Sequence, residues 1–284
     1  MSPKIKFRTI KYSHIVKKIA ALCAESNYQL DNNYIKLINS RKKTYCKKAK
    51  YLAGLLLKNN QIAKKEKLPI CQDTGVCVFY AEIGNKVKLD RGIISDAIQE
   101  GVANGYKTGY LRKSIVNDPL TRLPNTGDNT PAFIYTEIVL GSKLKIWFLP
   151  KGGGSENVTA LKFFEPTTDE TNIIGYISDT IKSIGSKACP PYKLGVCIGG
   201  PADYCVMTSK KILIDEFADK NKRINLLSKK ILEKCNNLKI GIQGSGAGDT
   251  VIKVNIKLLP VHIAMLPVSI SVSCNAVRIG RLEL

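Results

Sequence analysis

Cys71, Gln72 and Asp73 follow one another in Leu68-Pro69-Ile70-Cys71-Gln72-Asp73-Thr74-Gly75. A thiol, an amide and a carboxylate in one glycine-ended turn offer a soft metal ligand or nucleophile beside a titrating acid. A structural cysteine needs no such neighbours, although a polar turn with an incidental thiol has the same local pattern. In Ala188-Cys189-Pro190-Pro191-Tyr192 two prolines fix the backbone directly after a thiol, a rigid support that suits a ligand. The glycines of Pro150-Lys151-Gly152-Gly153-Gly154-Ser155-Glu156-Asn157 let the backbone approach a ligand, and successive N–H groups there can form an anion nest. The P-loop spacing is missing. His262 is one of only two histidines and falls in a turn between two strand patterns, whereas His14 sits on an amphipathic helix. A Cys–His nucleophilic pair could be drawn from these residues, but nothing local supports it.

Two further loops read more plainly. Pro124-Asn125-Thr126-Gly127-Asp128-Asn129-Thr130-Pro131 has the composition of turns. The glycine-rich stretch 241–248 is followed by a strand pattern where a dinucleotide fingerprint would need a helix, so that reading is set aside. The nine cysteines, at 23, 46, 71, 77, 189, 197, 205, 235 and 274, contain no Cys-x-x-Cys pair. A zinc ribbon or ferredoxin-type run is thereby excluded, and any metal site must be assembled from distant segments. Nine thiols without a secretory signal point to a reducing compartment, the cytoplasm.

The elements that must position these residues divide the chain into a helical amino-terminal third, about 1–65, and a remainder of strands and helices. Ile15, Val16, Ile19, Leu22 and Cys23 recur at helical spacing after an expected cap at Ser13, and Leu52, Leu55 and Leu56 predict a second core-facing helix. Ile93, Ile94, Ala97 and Ile98 suggest another, and Ile173, Ile174, Ile177, Ile181 and Ile184 form a stripe closed by Gly185. Strands are expected over 132–140 and 143–149, joined by Gly141-Ser142 as a type II′ hairpin, and over 250–258. The stretch 258–277 has the length of a membrane span but is broken by prolines and polar residues. From Val268 to Cys274 it alternates strictly, as a strand does. With no internal repeat or linker, the expected fold is α/β mixed (α+β): one domain over 1–284, a mixed β-sheet with flanking helices after the helical third.

Composition narrows the class. The chain has 284 residues, 44 Lys+Arg against 23 Asp+Glu, a net charge of +21 and a 44% hydrophobic content, which is ordinary for a folded protein and excludes a disordered tail. The basic excess is spread rather than clustered, and no aromatic platform interleaves it, so a solvated surface is favoured over nucleic-acid binding. The basic segment 1–8 lacks the apolar core and cleavage site of an export signal. Neither nucleic acid nor a membrane is an expected partner.

Taken together, six blocks in order, 69–75, 112–119, 125–131, 150–157, 189–203 and 262–278, resemble the alpha subunit of the iron–sulfur-dependent class I fumarase and L-tartrate dehydratase family, over nearly the whole chain from about Phe7. The resemblance implies a [4Fe-4S] cluster held by Cys71, Cys189 and Cys274, with an open iron acting as a Lewis acid in hydro-lyase chemistry. It assigns Gln72, Asp73, Arg112, Gly154 and His262 to substrate binding and acid–base work, Asp73 being the expected acid for the hydroxyl and Arg112 the grip on a carboxylate. Asn275 stands where the family commonly has Trp. The resemblance implies fumarate hydratase, a step of the tricarboxylic acid cycle, with L-tartrate dehydratase as the alternative; a basic RNA-binding or regulatory protein is the alternative from another class. One-chain members carry a further carboxy-terminal domain that completes the site. The expectation is therefore a separate beta subunit, an α2β2 assembly, a small dicarboxylate substrate and no activity of this chain alone.

Overall fold

The computed structural model describes residues 7–284, so the basic amino-terminal run lies, as far as residue 6, outside the described residues. In chain order the elements are β1 (Arg8–Ile10), α1 (Tyr12–Asn27), α2 (Asn32–Lys42), α3 (Lys47–Glu66), β2 (Val76–Gly84), β3 (Val87–Leu89), α4 (Ile94–Thr108), β4 (Phe133–Val139) and β5 (Leu144–Lys151). There follow α5 (Gly153–Glu156), β6 (Ala160–Phe164), α6 (Glu170–Ile184), β7 (Tyr192–Ile198), α7 (Ala202–Lys211), α8 (Lys222–Asn236), β8 (Val251–Leu258), β9 (Leu266–Ser273) and β10 (Gly280–Glu283). The fold is α+β, with two four-stranded mixed sheets and a small parallel pair, β1 with β3, in place of one sheet. No helix among the described residues is long and apolar enough to cross a membrane. Two compact units are distinguished: the described residues up to Asp31, with Asn59–Gly152 and Arg278–Leu284, make the first, and Asn32–Lys58 with Gly153–Val277 the second.

In the first unit the sheet order is β10-β5-β2-β4. This overturns the hairpin expected across Gly141-Ser142. β4 runs parallel to β2, β5 runs antiparallel to it, and β2 lies between them. The physical reason is that β2, Val-Cys-Val-Phe-Tyr-Ala-Glu-Ile-Gly, is buried along most of its length and takes a neighbour on each edge, while α4 supplies the crossover a parallel pair requires. The Gly141 carbonyl instead accepts from the Lys86 amide, tying the connection across the end of β2. Ile15, Ile19, Cys23, Phe79, Val102 and Phe148 build the core, with the Phe79 and Phe148 rings stacked at 4.8 Å. Full burial of each such large side chain contributes about 1.5–3 kcal/mol. α1 and α4 approach closely because Gly105 presents no Cβ, which would lie 2.7 Å from the Ala20 carbonyl oxygen. The cap expected at Ser13 is not found: α1 begins at Tyr12 after Lys11, with no side-chain cap bond.

In the second unit the order is β6-β9-β7-β8, with β7 and β8 parallel and the other pairs antiparallel. Ile177, Ile181, Ile184 and Ile231 of α6 and α8 pack on Val196, Ile256 and Ile270 of the sheet. α6 begins at an Asp169 cap and ends, where its sequence stripe predicts, at Gly185 with φ of 58°. The strict alternation of β9 has a different cause from a solvated face. Its serines are buried, and Ser269 and Ser271 share hydrogen bonds with Ser209 of α7 at 3.0 and 2.9 Å. In α3 the leucine face is not the buried one: Leu55 is 45% exposed, while Ala49 and Ala53 are buried. Small residues win there because they permit close approach; Gly248, φ +77°, has Ala49 Cβ 3.1 Å from where its own Cβ would stand.

Candidate active site

Four of the sequence blocks meet at Gly75 in the first unit. The Thr74 hydroxyl donates to the Arg112 carbonyl at 2.7 Å, and the Tyr106 hydroxyl donates to the carbonyls of Thr74 and Gly75 at 3.0 and 3.3 Å. Asn129 joins from the 125–131 loop. Its side-chain amide donates to the Gly75 carbonyl at 3.1 Å, and its side-chain oxygen accepts from the Ser114 amide at 2.7 Å. Gly75 itself has φ of +76°, and a Cβ there would stand 2.6 Å from the Lys151 carbonyl carbon, so only glycine lets the turn lie against β5. Upstream, the Ile70 amide donates to the Asn27 carbonyl and Asn59 donates to the Ile70 carbonyl, fixing the residue before Cys71.

This scaffold holds Cys71, Gln72, Asp73 and Arg112 in one unit. Cys71 is partly exposed, with its thiol 3.9 Å from the Gln72 side-chain oxygen. One Asp73 oxygen accepts from the Gly75 amide at 3.0 Å; the other lies 3.0 Å from where a Cβ on Gly152 would stand. Gly152 therefore makes room for the carboxylate, a specific role for the first glycine of the triple-glycine run. Arg278 lies on the same side of Gly152. Its guanidinium is buried, with Nη1 donating to Asn27 at 2.7 Å.

In the second unit Cys189 and Cys274 are brought together by Asn275. The Asn275 backbone amide and side-chain amide both donate to the Cys189 carbonyl at 3.0 Å. Cys189 adopts φ of 56°, which turns the chain before the prolines. Cys274 lies one residue past the end of β9 rather than on its apolar face, and is half-buried. The neighbouring Tyr192 hydroxyl is pushed up to about 12, mainly by burial, with both thiols adding to the shift. His262 occupies an exposed turn between β8 and β9, where its Nδ1 accepts from the Ala264 amide at 3.2 Å; the proton of the neutral ring is then on Nε2. Gly154 sits in α5 and is exposed.

Burial separates the thiols. Cys71, Cys189 and Cys274 are in no disulfide and are reachable from solvent, as is Cys46, whereas Cys23, Cys77, Cys197, Cys205 and Cys235 are buried. Burial pushes the Cys235 thiol up to about 12 and Cys23 well above its ordinary value, so both stay protonated core residues. The three loop thiols fit the ligand set of an iron–sulfur cluster in donor type and access. Among the described residues, no three His, Cys, Asp or Glu side chains form a ready-made ion site. Sequence reasoning missed Tyr106, Asn129, Gly152 and Asn275 as positioning residues. Asn129 and Gly152 lie inside blocks singled out as loops, but Tyr106 is one buried position in an amphipathic helix and carries no such signal.

The model of the family described as Fumarate hydratase (Fumerase) matches residues 16–283. A putative L(+)-tartrate dehydratase subunit alpha from Methanocaldococcus jannaschii is 38% identical over 231 residues, covering 78% of this chain and 80% of that protein. The aerobic class I fumarate hydratase of Escherichia coli K12 is 34% identical over 245 residues, 81% of this chain and 44% of that protein, so the chain spans under half of its length. The L(+)-tartrate dehydratase subunit alpha of E. coli UTI89 is 25% identical over 82% of this chain. The chain belongs to the fumarate hydratase family.

Proposed function

We propose that the chain is the alpha subunit of a [4Fe-4S]-dependent hydro-lyase that interconverts fumarate plus water with malate. The observation that carries the reading is the convergence on Gly75, which orients Asp73 beside Cys71 and ties the backbone of Arg112 to the same turn. Cys71, Cys189 and Cys274 would hold the cluster, which when bound supplies a Lewis acid for a substrate hydroxyl. Arg112 grips one carboxylate in bidentate fashion, and the backbone from Gly152 to Gly154 completes that pocket. Asp73 gives a proton to the departing hydroxyl of malate and, in the other direction, takes one from the incoming water. Gln72 and His262 donate hydrogen bonds to the substrate. The proton on carbon must leave to a base, and a dianion needs cations at both ends; a separate beta subunit supplies these, in an α2β2 assembly in the cytoplasm.

A second reading, the alpha subunit of an L-tartrate dehydratase, is favoured by the relative from M. jannaschii, which is named a putative one and is matched over 80% of its length. The deciding experiment is anaerobic purification of the chain with and without a co-expressed beta chain, followed by paired fumarate and tartrate assays. Turnover of fumarate only in the complex is the expected result. Tartrate turnover alone selects the second reading. Efficient turnover by the reconstituted alpha chain overturns the split site, and salt-sensitive RNA binding without hydratase activity in the complex overturns the enzyme reading.

A further inference from the structure

A cavity of about 910 Å³ opens within the second unit, between α2, the start of α8, β8 and the segment that leads from Asp215 to Lys220. None of the residues assigned above to cluster or substrate lines it. The end of α2 and the residues that follow it are tied to the glycine-rich loop and its flank, because Tyr45 donates to Asp249 at 2.6 Å, Arg41 pairs with Asp249 at 3.3 Å and Lys48 donates to the Ser245 carbonyl at 2.7 Å. The loop set aside as a nucleotide fingerprint thus has a structural task.

The cavity's charge is unbalanced. Five basic side chains, Lys36, Arg41, Lys193, Lys220 and Lys253, line it against two carboxylates, Asp215 and Asp219. Arg41 is used on Asp249, and Asp219 on Lys257, both partners outside the lining. Lys193 and Lys253 share the single carboxylate of Asp215, at 2.6 and 2.8 Å, and Lys193 is only 2% exposed. Lys36 and Lys220 have no carboxylate partner among the described residues. The surplus stands over an apolar floor that includes Ile224, Val254 and Ile256, with Asn225 and Ser228 as neutral hydrogen-bonding groups. A cleft with low-dielectric walls and a surplus of one sign focuses its field on counter-ions, and this volume is that of small-ligand sites.

We propose that this cavity is a binding site for a small polyanion bearing phosphate or several carboxylate groups, distinct from the site of hydration. Lys36 and Lys220 close on the anion from the rim, and the Lys193–Asp215–Lys253 group adds net positive charge to the lining. The proposal does not rest on the hydratase reading, and its test measures binding rather than turnover.

Isothermal titration of the full chain with pyrophosphate and, separately, with citrate tests it. The expected result is saturable one-to-one binding of at least one probe, weakened about tenfold or more in Lys36→Gln/Lys220→Gln. The control variant Lys64→Gln/Lys65→Gln removes the same charge from the exposed face of α3 and keeps the wild-type affinity. Binding of pyrophosphate alone assigns a phosphate-bearing ligand, and binding of citrate alone a polycarboxylate. No saturation by about 1 mM of either probe, or equal weakening in both double variants, overturns the site.

Discussion

The carboxylate of Asp73 is oriented by backbone on both sides, one oxygen on the Gly75 amide and the other against Gly152. Asp73→Asn keeps this shape and removes the titrating proton, so turnover of the assembled enzyme should fall by roughly a hundredfold or more while iron content stays at the wild-type level. Wild-type turnover in that variant would require another acid. Asn275→Ala removes one of the two bonds on the Cys189 carbonyl and should lower iron per chain after anaerobic desalting, as Cys71→Ser should do outright, whereas Cys46→Ser should not. Retention of full iron by Cys71→Ser would refute the ligand set. What was legible at this scale was adjacency: Cys71, Gln72 and Asp73 advertise chemistry because they stand side by side. The bond from Asn275 to Cys189 spans 86 positions and that from Arg278 to Asn27 spans 251, and no local pattern encodes either.

Elements were legible where one face decides them. The isoleucine stripe of α6 follows from burial at its own period, whereas β9 alternates apolar residues with serines that are themselves buried. The pairing of β4 and β5 follows from no such period, since a two-residue glycine link fits a hairpin or a strand-skipping connection equally, and the choice belongs to β2, which is made earlier in the chain. Asp215, between α7 and α8, shows an element-scale dependence that can be measured. Burial would raise its pKa, but the charge of Lys193 and hydrogen bonds from Lys193, Lys253 and Asn255 outweigh it and hold the carboxyl well below the usual carboxylate range. A lowered folded pKa contributes stability above the unfolded value of about 3.9, and that contribution is lost as pH falls from there toward the folded value. Asp215→Asn leaves Lys193 buried without this carboxylate, so it should destabilise the chain by about 3–5 kcal/mol at neutral pH. In urea unfolding the gap from wild type should stay constant down to about pH 4 and narrow below it; a gap that widens in acid would contradict the assignment.

Across the whole molecule, neither unit is a continuous stretch of sequence. Composition and hydrophobic period indicated a folded α+β chain, but a division that changes hands four times leaves no linker, charge shift or proline-rich seam to read. The first unit is completed by its last segment: β10 pairs with β5 from Gly280 opposite Phe148 to Glu283 opposite Lys145, and Arg281 pairs with Asp31 at 2.7 Å. Deleting residues 278–284 should therefore strip hydrogen-exchange protection from β5 and leave β7 protected; unchanged protection of β5 would show that β10 is dispensable. The same strand order sets a timetable for biosynthesis. When β5 leaves the ribosome its outer edge has no partner, and the larger segment of the second unit, Gly153–Val277, must be translated before β10 arrives. For that interval the nascent first unit carries an open, largely apolar sheet edge, so in a cell it is this half-made sheet, rather than the finished chain, that needs a chaperone's cover.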